Sequence, residues 1–280
     1  MFPTGPPAGV EPIGPPDAET PSGPAGPAGA REAAAAGIAA GAPTAILVPA
    51  LPLVVRRLGR LSYAQGLELQ AQLVADRQAE RIVDVLLLLE HDPVFTRGRN
   101  AREQNVLVRE SLLRARGFDV FETGRGGDVT YHGPGQVVGY PILNLAPDRQ
   151  DVHRYVRDLE EVMIRTCRDF GVEAERVAGL TGCWVGRDKI GAIGVRISRW
   201  VTSHGFAFNV ANDLAPYSLI VPCGIPDRGV TTLQQLLARP VPLTDAQDAL
   251  TRHFVEVFER RVELGGASGA PPRPPLAPRE

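Results

Sequence analysis

The chain has 280 residues and a net charge of −2 at pH 7 with mixed signs, so it carries no basic stripe for nucleic acid. No apolar run approaches the ~20 residues of a membrane span, and the longest, Val85 to Leu89, suits a buried strand. Three cysteines without CxxC spacing favour a reducing compartment over a disulfide framework. Because the N-terminus also lacks the pattern of a signal peptide, we expect a cytoplasmic protein.

Both ends of the chain are rich in proline. Residues 1–45 hold ten prolines and a single aromatic residue, Phe2, and residues 265–280 hold five prolines. Neither end has the apolar content to offset the entropy lost on ordering it. We therefore predict two disordered extensions, 1–45 and 265–280, around one domain at 46–264, which is long enough for a single α/β core.

The first half of this domain alternates helices and strands. Ser62 with Gln65 predicts a capping box that opens a helix to about Arg81. Ile82–Leu89 is apolar apart from Asp84, as in a strand buried on both faces. The next predicted elements are a short helix at 111–116, a strand at 118–122, a glycine-rich loop at 124–135 interrupted by 129–131, and a strand at 137–143.

The second half begins with a long amphipathic helix, capped by Asp151 and closed by Gly171. Three short β-rich segments follow between residues 183 and 210. Thr244 with Gln247 predicts a second capping box, for a helix running to about residue 261. Strands and helices alternate without a strict βαβ rhythm, so we predict an α/β (α+β) fold with a mixed sheet flanked by helices.

One lysine is present among the 30 basic residues, and the other 29 are arginines. This residue, Lys189, lies in Gly-Arg-Asp-Lys-Ile-Gly-Ala-Ile-Gly. An arginine does not release its proton in a protein, whereas a lysine ammonium has an ordinary pKa near ~10.4 that falls on burial. The lone lysine therefore indicates a position that needs proton transfer or a compact ammonium. The alternative is that this position has no special requirement and differs by chance from the other basic positions, which are all arginine.

Cys223 lies in Ile-Val-Pro-Cys-Gly-Ile-Pro, an apolar run that ends in a turn. The preceding proline favours an extended approach and the following glycine permits a tight bend. We expect this geometry to expose the thiol at a strand end with free backbone N–H groups nearby, as a nucleophile and its oxyanion donors require. The alternative is a buried structural cysteine. Cys167 is expected in the core, and Cys183 is a weaker candidate for the site.

Two histidines lie beside glycines. His132 ends the run Arg-Gly-Gly-Asp-Val-Thr-Tyr-His, in which Gly126 and Gly127 let the backbone approach a ligand and Arg125 can hold an anion. His204 precedes Gly-Phe-Ala-Phe. For each histidine the alternative is a hydrogen-bonded packing role, and the other three are expected to be structural or solvated.

Several nucleotide and metal motifs do not occur in the sequence. The lone lysine is not in GxxxxGK[ST], and Gly-Arg-Gly-Gly-Asp is not the dinucleotide-binding pattern. GxSxG and HExxH are not found either. The sequence therefore predicts no cofactor and no metal.

Five segments follow one another in the order Glu90–Thr96, Arg125–Gln136, Lys189–Gly194, His204–Asn209 and Val221–Ile225. Together they resemble the lipoyl(octanoyl) transferase family, the octanoyl-acyl-carrier-protein:protein N-octanoyltransferases. The arginine-to-glutamine segment is long enough to be specific by itself. The resemblance implies the catalytic-domain fold of lipoate and biotin protein ligases, a mixed sheet with surrounding helices.

The resemblance also implies the chemistry, the first step of protein lipoylation. Cys223 would attack the thioester of octanoyl-acyl carrier protein, and Lys189 would be the general acid/base. The octanoyl or lipoyl group would then pass to a lysine of the lipoyl domains of 2-oxoacid dehydrogenases or of the glycine-cleavage H protein. The residues that would line the acyl pocket are Arg125, Gly126, Gly127, Asp128, Val129, Thr130, Tyr131, His132, Ala192, Ile193, Gly194, Gly205, Phe206 and Ala207.

Two alternatives remain open at this point. A lipoate-protein ligase on the same scaffold would activate a free acid with ATP, but it needs no nucleophilic cysteine, so Pro-Cys-Gly favours the transferase. A non-catalytic binder of lipoyl domains would not need the lysine and the cysteine together. The sequence departs from the family pattern in its long N-terminal extension and in the basic Arg187 near Lys189.

Overall fold

The computed structural model describes residues 50–225 and 227–263. Both predicted extensions, 1–45 and 265–280, lie outside these residues. The described strands are β1 (Leu51–Leu61), β2 (Asp84–His91), β3 (Val94–Arg97), β4 (Asp119–Glu122), β5 (Val129–His132), β6 (Gln136–Ile142), β7 (Glu175–Val177), β8 (Leu180–Val185), β9 (Asp188–Ser198), β10 (Val201–Asn209), β11 (Gly229–Val230) and β12 (Arg260–Val262). The α-helices are α1 (Tyr63–Gln78), α2 (Glu110–Ala115), α3 (Val152–Asp169), α4 (Leu233–Leu237) and α5 (Leu243–Val257).

The strands form two sheets. The main sheet has the order β12-β1-β2-β6-β10-β9-β8-β7, with β11 paired to β9. β1 runs parallel to β2 and β12, and β11 parallel to β9, whereas the other neighbours are antiparallel. The small sheet has the order β4-β3-β5. A mixed sheet flanked by helices was predicted, and it is confirmed.

Successive side chains of β2 point to opposite faces of the main sheet, and each face carries its own part of the core. Leu86 and Leu88 pack with α3 and α5, whereas Leu87 and Leu89 pack with α1. All four side chains are fully buried, so the predicted strand with two buried faces is confirmed. Among the helices of the described residues, none is both long and apolar enough to cross a membrane.

Two helix caps follow the sequence. Ser62 Oγ accepts from the backbone N–H of Gln65, and Gln65 Oε1 accepts from the backbone N–H of Ser62, which completes the predicted capping box. The helix ends at Gln78, three residues before the predicted end. Asp151 caps α3 through the backbone N–H groups of His153 and Arg154.

The second predicted capping box is wrong. The α5 helix begins at Leu243 after an N-cap at Pro242 and has no side-chain cap, so Thr244 lies inside the first turn. The fixed φ of the proline is compatible with the extended conformation of the N-cap, which has φ −61° and ψ 135°. The helix also ends early, at Val257, because Glu259 takes a positive φ and turns the chain into β12.

Candidate functional site

A cavity of about 250 Å³ is lined by residues from α1, β5, β6, β8, β9 and β10 and from the turn that carries Cys223. Most of the residues expected at the site contribute to this lining. They are Arg125, Gly127, Asp128, Thr130, His132, Lys189, Ala192, Ile193, Gly194, Gly205, Phe206, Ala207 and Cys223.

Three expected residues do not line the cavity. Successive side chains of β5 alternate between its faces, so Thr130 and His132 reach the cavity while Val129 and Tyr131 pack into the core of the small sheet. Gly126 lies behind the lining, where its N–H donates a 2.9 Å hydrogen bond to the carbonyl of Val195.

The cavity also has lining residues that sequence reasoning did not include in the site. Tyr140 had a recognisable signal, since it is the one phenol in β6 and its hydroxyl requires a partner when buried. The others come from elements that meet only in the folded chain. The full set is Tyr63, Val138, Tyr140, Gly179, Leu180, Thr181 and Ile225. His204, which the sequence indicated as a candidate beside Gly205, lines the cavity as well.

Small residues form a block on two neighbouring strands of the cavity. Ala192 of β9 faces Ala207 of β10, and Gly194 faces Gly205 in the same register. The short side chains leave room above this part of the sheet. A Cβ added to Gly194 would lie 2.9 Å from Cδ of Arg125, because the arginine stem crosses the strand there.

Cys223 lies in a 3₁₀ turn at Pro222–Gly224 rather than at the expected strand end. Its backbone is left-handed, with φ 57° and ψ 17°, a conformation that is strained for a residue other than glycine. Two of the backbone N–H groups near the cysteine, where free donors were expected, are paired. Within the turn, the N–H of Gly224 donates to the carbonyl of Val221 and that of Ile225 to the carbonyl of Pro222.

The turn rests on a polar pair from another part of the chain. The side-chain amide of Asn105 donates a 2.6 Å hydrogen bond to Asp128 Oδ2. The backbone carbonyl of Asn105 accepts a 2.8 Å hydrogen bond from the N–H of Val221. Asp128 Oδ1 accepts from the N–H of Val129. A Cβ on Gly224 would lie 2.8 Å from Asp128 Oδ2, so the glycine is needed for this close approach.

Lys189 is 6% exposed near the start of β9. Its ammonium lies 4.7 Å from the centre of the Trp184 ring. Among residues 50–225 and 227–263, it forms no ion pair with a carboxylate. Lys189 and Cys223 line the cavity together, and both also line a void of about 10 Å³ beside it.

Arg125 places a buried guanidinium at the cavity. One nitrogen donates to the carbonyl and hydroxyl oxygens of Thr96, and another donates to the carbonyl of Gly126. Its Nε has no hydrogen-bond partner among the described residues. Burial lowers the pKa of Arg125, while the nearby Tyr63 and Cys223 side chains act in the opposite direction. The guanidinium thus keeps one buried N–H donor that is unpaired among the described residues.

His132 is a neutral, fixed side chain. The Nε2 group of Gln136 donates to Asn209, which leaves Oε1 of Gln136 facing His132. This Oε1 atom accepts a 2.7 Å hydrogen bond from Nδ1 of His132. The other ring nitrogen is therefore an acceptor, 3.5 Å from the hydroxyl of Thr96. Burial lowers the pKa of His132 to about 3, and the positive charge of Arg125 acts in the same direction.

His204 lies beside Tyr140 at the same cavity. His204 is left-handed, with φ 54°, and burial together with the charge of Arg125 lowers its pKa to about 4. Its Nδ1 has no hydrogen-bond partner in the part of the chain that the structure describes. Nearby, His91 donates from Nδ1 to the carbonyl of Leu61, so its Nε2 accepts a 2.7 Å bond from the hydroxyl of Tyr140. Both histidines are thus held neutral.

The other two cysteines lie in the core beside α3. Cys167 and Cys183 are fully buried and neither lines the cavity. A hydrogen bond with Cys167, and burial, raise the pKa of Cys183 well above that of a free thiol. The core position predicted for Cys167 is confirmed. Among the three cysteines, Cys223 is thus the one at the cavity.

The fold is that of lipoate protein ligases. A bi-partite lipoate protein ligase from Thermoplasma acidophilum superposes with a TM-score of 0.59 at 18% identity, covering 77% of this chain and 86% of that one. Lipoate-protein ligase A bound with ATP gives a TM-score of 0.58 at 16% identity, covering 76% and 89%. These likenesses establish the fold.

Sequence comparison establishes the family. The model of the lipoyl protein ligase A/B catalytic domain matches residues 62–255. The octanoyltransferase of Solibacter usitatus is 51% identical over 214 residues, covering 76% of this chain and 96% of the relative. That of Acidobacterium capsulatum is 52% identical over 220 residues, covering 73% and 89%. The chain therefore belongs to the lipoyl protein ligase A/B catalytic-domain family and, within it, to the octanoyltransferases, which are acyltransferases.

Proposed function

We propose that this octanoyltransferase takes an octanoyl group from acyl carrier protein onto Cys223 as a thioester and passes it to a lysine of a lipoyl domain. The observation that carries the proposal is the shared position of Cys223 and Lys189 at one cavity. A thiol gives the nucleophile and an amine gives a group that can accept and return protons, whereas arginine could not do so.

In the first step, the Cys223 thiolate attacks the thioester carbonyl of the donor. A new C–S bond forms, the bond to the sulfur of the carrier breaks, and the leaving thiolate takes a proton from the ammonium of Lys189. In the second step, the neutral amine of the acceptor attacks the Cys223 thioester. The amide forms, Cys223 leaves as a thiolate, and the proton of the amine returns to Lys189. Both steps therefore proceed without ATP.

The acyl chain is proposed to lie over the block of small residues formed by Ala192, Gly194, Gly205 and Ala207. Arg125 places a buried guanidinium at the same cavity. We propose that this positive charge stabilises an oxygen of the substrate, such as the thioester carbonyl in the reacting state.

The acceptor must be another protein chain. The sequence has one lysine, and this lysine is the proposed proton carrier. Lipoyl domains of 2-oxoacid dehydrogenases and the glycine-cleavage H protein are the acceptors we propose. The three free thiols favour a reducing compartment, so we propose that the reaction takes place in the cytoplasm.

Intact mass after mixing with octanoyl-acyl carrier protein tests the acyl-enzyme. One octanoyl group should add without ATP, hydroxylamine should remove it, and Cys223→Ala should not acquire it. Cys183→Ala is the matched control, since its thiol is buried away from the cavity. Label that survives in Cys223→Ala but disappears in Cys183→Ala would assign the nucleophile to the other cysteine. A strict requirement for ATP and free acid would instead indicate a ligase.

We also propose that residues 46–264 are sufficient for transfer. A chain trimmed to these limits should transfer octanoyl groups at a rate within a few-fold of the full chain. A loss of two orders of magnitude would mean that one of the removed ends contributes to the site or docks a partner.

A further inference from the structure

We propose that Trp184 is a positioning residue, whose indole face holds the Lys189 ammonium at the cavity in the place that a carboxylate would otherwise take. The inference rests on the proposed function, in which Lys189 moves protons, and it assigns that function a further residue. Trp184 itself does not line the cavity.

The sheet fixes the relation between the two side chains. Trp184 of β8 and Lys189 of β9 are direct cross-strand partners, so their side chains lie on the same face. The indole is 1% exposed, and its Nε1–H donates a 3.0 Å hydrogen bond to the carbonyl of Leu180. Burial and this bond fix the plane of the ring. The ammonium lies 4.7 Å from its centre, within the range of a cation–π contact.

An aromatic face suits a proton carrier better than a carboxylate does. A carboxylate would bind the ammonium through charge-assisted hydrogen bonds and favour its charged form. The ring attracts the positive charge but presents no lone pair, so the N–H groups of Lys189 stay available to the sulfur and to the substrate. The described part of the chain places no carboxylate within ion-pair distance of Lys189, which leaves the ring as its fixed electrostatic partner.

A second cation lies at the same ring. The guanidinium of Arg228 is 5.5 Å from the centre of the Trp184 indole. Its chain segment leads directly into β11, which pairs with β9 at Lys189. Both cations therefore contact the same buried indole. The indole thus lies between the loop that follows Cys223 and the strand that carries Lys189.

Single-turnover acylation of Cys223, followed by intact mass over a range of octanoyl-acyl carrier protein concentrations up to saturation, tests the role of Trp184. Trp184→Leu should slow acylation about 10- to 30-fold, as expected for the loss of a buried cation–π contact, and leave the apparent KM for the donor unchanged. Trp184→Phe keeps an aromatic face and should be only about threefold slower. Trp200→Leu is the matched control, because Trp200 lies in the turn after β9, beyond the end of that strand opposite Lys189, and packs against the core; it should retain the wild-type rate.

A double-mutant cycle separates positioning from packing. If Trp184 acts through Lys189, Trp184→Leu should have almost no further effect on alkylation of Cys223 by iodoacetamide in a Lys189→Ala background. Equal losses in both backgrounds, or a wild-type acylation rate in Trp184→Leu, would overturn the inference. Should Trp184→Leu fail to fold by circular dichroism, Trp184→Phe carries the same cycle, and a wild-type rate there would overturn it. A wild-type enzyme that never acylates Cys223 would instead overturn the proposed function.

Discussion

Asn105 donates a 2.6 Å hydrogen bond to the carboxylate of Asp128, and this pair supports the turn that carries Cys223. Asn105 lies between β3 and α2, Asp128 precedes β5, and the turn lies beyond β10, so three distant segments meet at the proposed nucleophile. The left-handed backbone of Cys223 is thus held by groups outside the turn. This dependence makes the turn sensitive to small changes at its neighbours.

Gly224→Ala should slow acylation of Cys223 by at least about tenfold. Gly224 has φ 70°, and a Cβ there would lie 2.8 Å from Asp128 Oδ2 and 3.1 Å from Asn105 Nδ2. The alanine would therefore have to displace the supporting pair in addition to the left-handed strain of about 1 kcal/mol. Single-turnover acylation measures the effect.

Gly171→Ala is the matched control for this strain. Gly171 has φ 75° at the end of α3, and nothing lies within 4 Å of an added Cβ. It should lower the free energy of unfolding by a similar strain energy and leave the acylation rate unchanged. Equal acylation rates for the two variants would mean that the contact with Asp128 does not control the turn.

Asn105→Asp should make acylation depend on pH in a new way. The substitution would place two carboxylates in hydrogen-bonding distance, and their repulsion should displace the turn when both are ionised. At lower pH the pair can share one proton, so part of the lost rate should return as the pH falls from 8 to 6. Gln104→Glu, which adds the same charge at an exposed neighbour, should show no such recovery. A pH-independent ratio of variant to wild-type rates would contradict the supporting role.

Local rules predicted the elements whose signals are contained within a few residues. Ser62 and Gln65 specify their capping box by themselves, and the alternation of apolar faces in β2 needs no knowledge of its partners. The same rule failed at Thr244, because a threonine followed by a glutamine also fits the inside of a helix that Pro242 starts. β12 was missed because three residues become a strand only through parallel pairing with β1.

At the site, too, the sequence predicted the features that short motifs specify and missed those that depend on the folded chain. Motifs indicated Cys223, Lys189 and the loop that begins at Arg125, but spacing could not show which side chains turn inward. Period-two alternation along β5 would have separated Thr130 from Tyr131 once that segment was known to be a strand. Tyr63 could not be found in this way, because its approach to the cavity depends on how α1 packs against the sheet.

Ala207→Leu should shorten the acyl chain that the enzyme accepts. Ala207 faces Ala192 across the two strands beneath the proposed acyl chain, and the larger side chain would fill that space. Octanoyl transfer should fall by at least about tenfold relative to butyryl transfer, as several methylenes lose their contact area. Ala249→Leu, on α5 and similarly buried, should destabilise the protein without changing the ratio. An unchanged chain-length preference in Ala207→Leu would place the acyl group elsewhere.

Stability should fall as the pH drops below about 6.5. Burial lowers the pKa of His204 to about 4 and that of His132 to about 3, so both are neutral in the native protein. The unfolded chain therefore binds more protons between pH 6.5 and these values, and the free energy of unfolding rises with pH across that window. Each histidine should contribute a loss of about 2 kcal/mol between pH 7 and pH 5.

Urea unfolding at several pH values measures this slope. His204→Asn keeps a residue type that tolerates the left-handed backbone and should remove about 2 kcal/mol of the loss between pH 7 and pH 5. His153→Asn, at an exposed position of α3, should leave it unchanged. A slope that His204→Asn does not alter would mean that this residue is protonated in the native protein at pH 5.

Lys189→Arg should fail almost as severely as Lys189→Ala. Arginine keeps the charge and can still lie over the Trp184 ring, but it cannot release and take back a proton near neutral pH. General acid/base catalysis contributes typically ~10²–10⁴-fold, so the acylation and transfer rates should fall within that range while donor binding persists. Arg187→Lys, the reciprocal exchange at an exposed position two residues away, should remain active. Because Lys189 is the one lysine of the chain, its own octanoylation should inactivate the enzyme as completely as the alanine variant. A fully active Lys189→Arg enzyme would reduce the role of this side chain to that of a fixed positive charge.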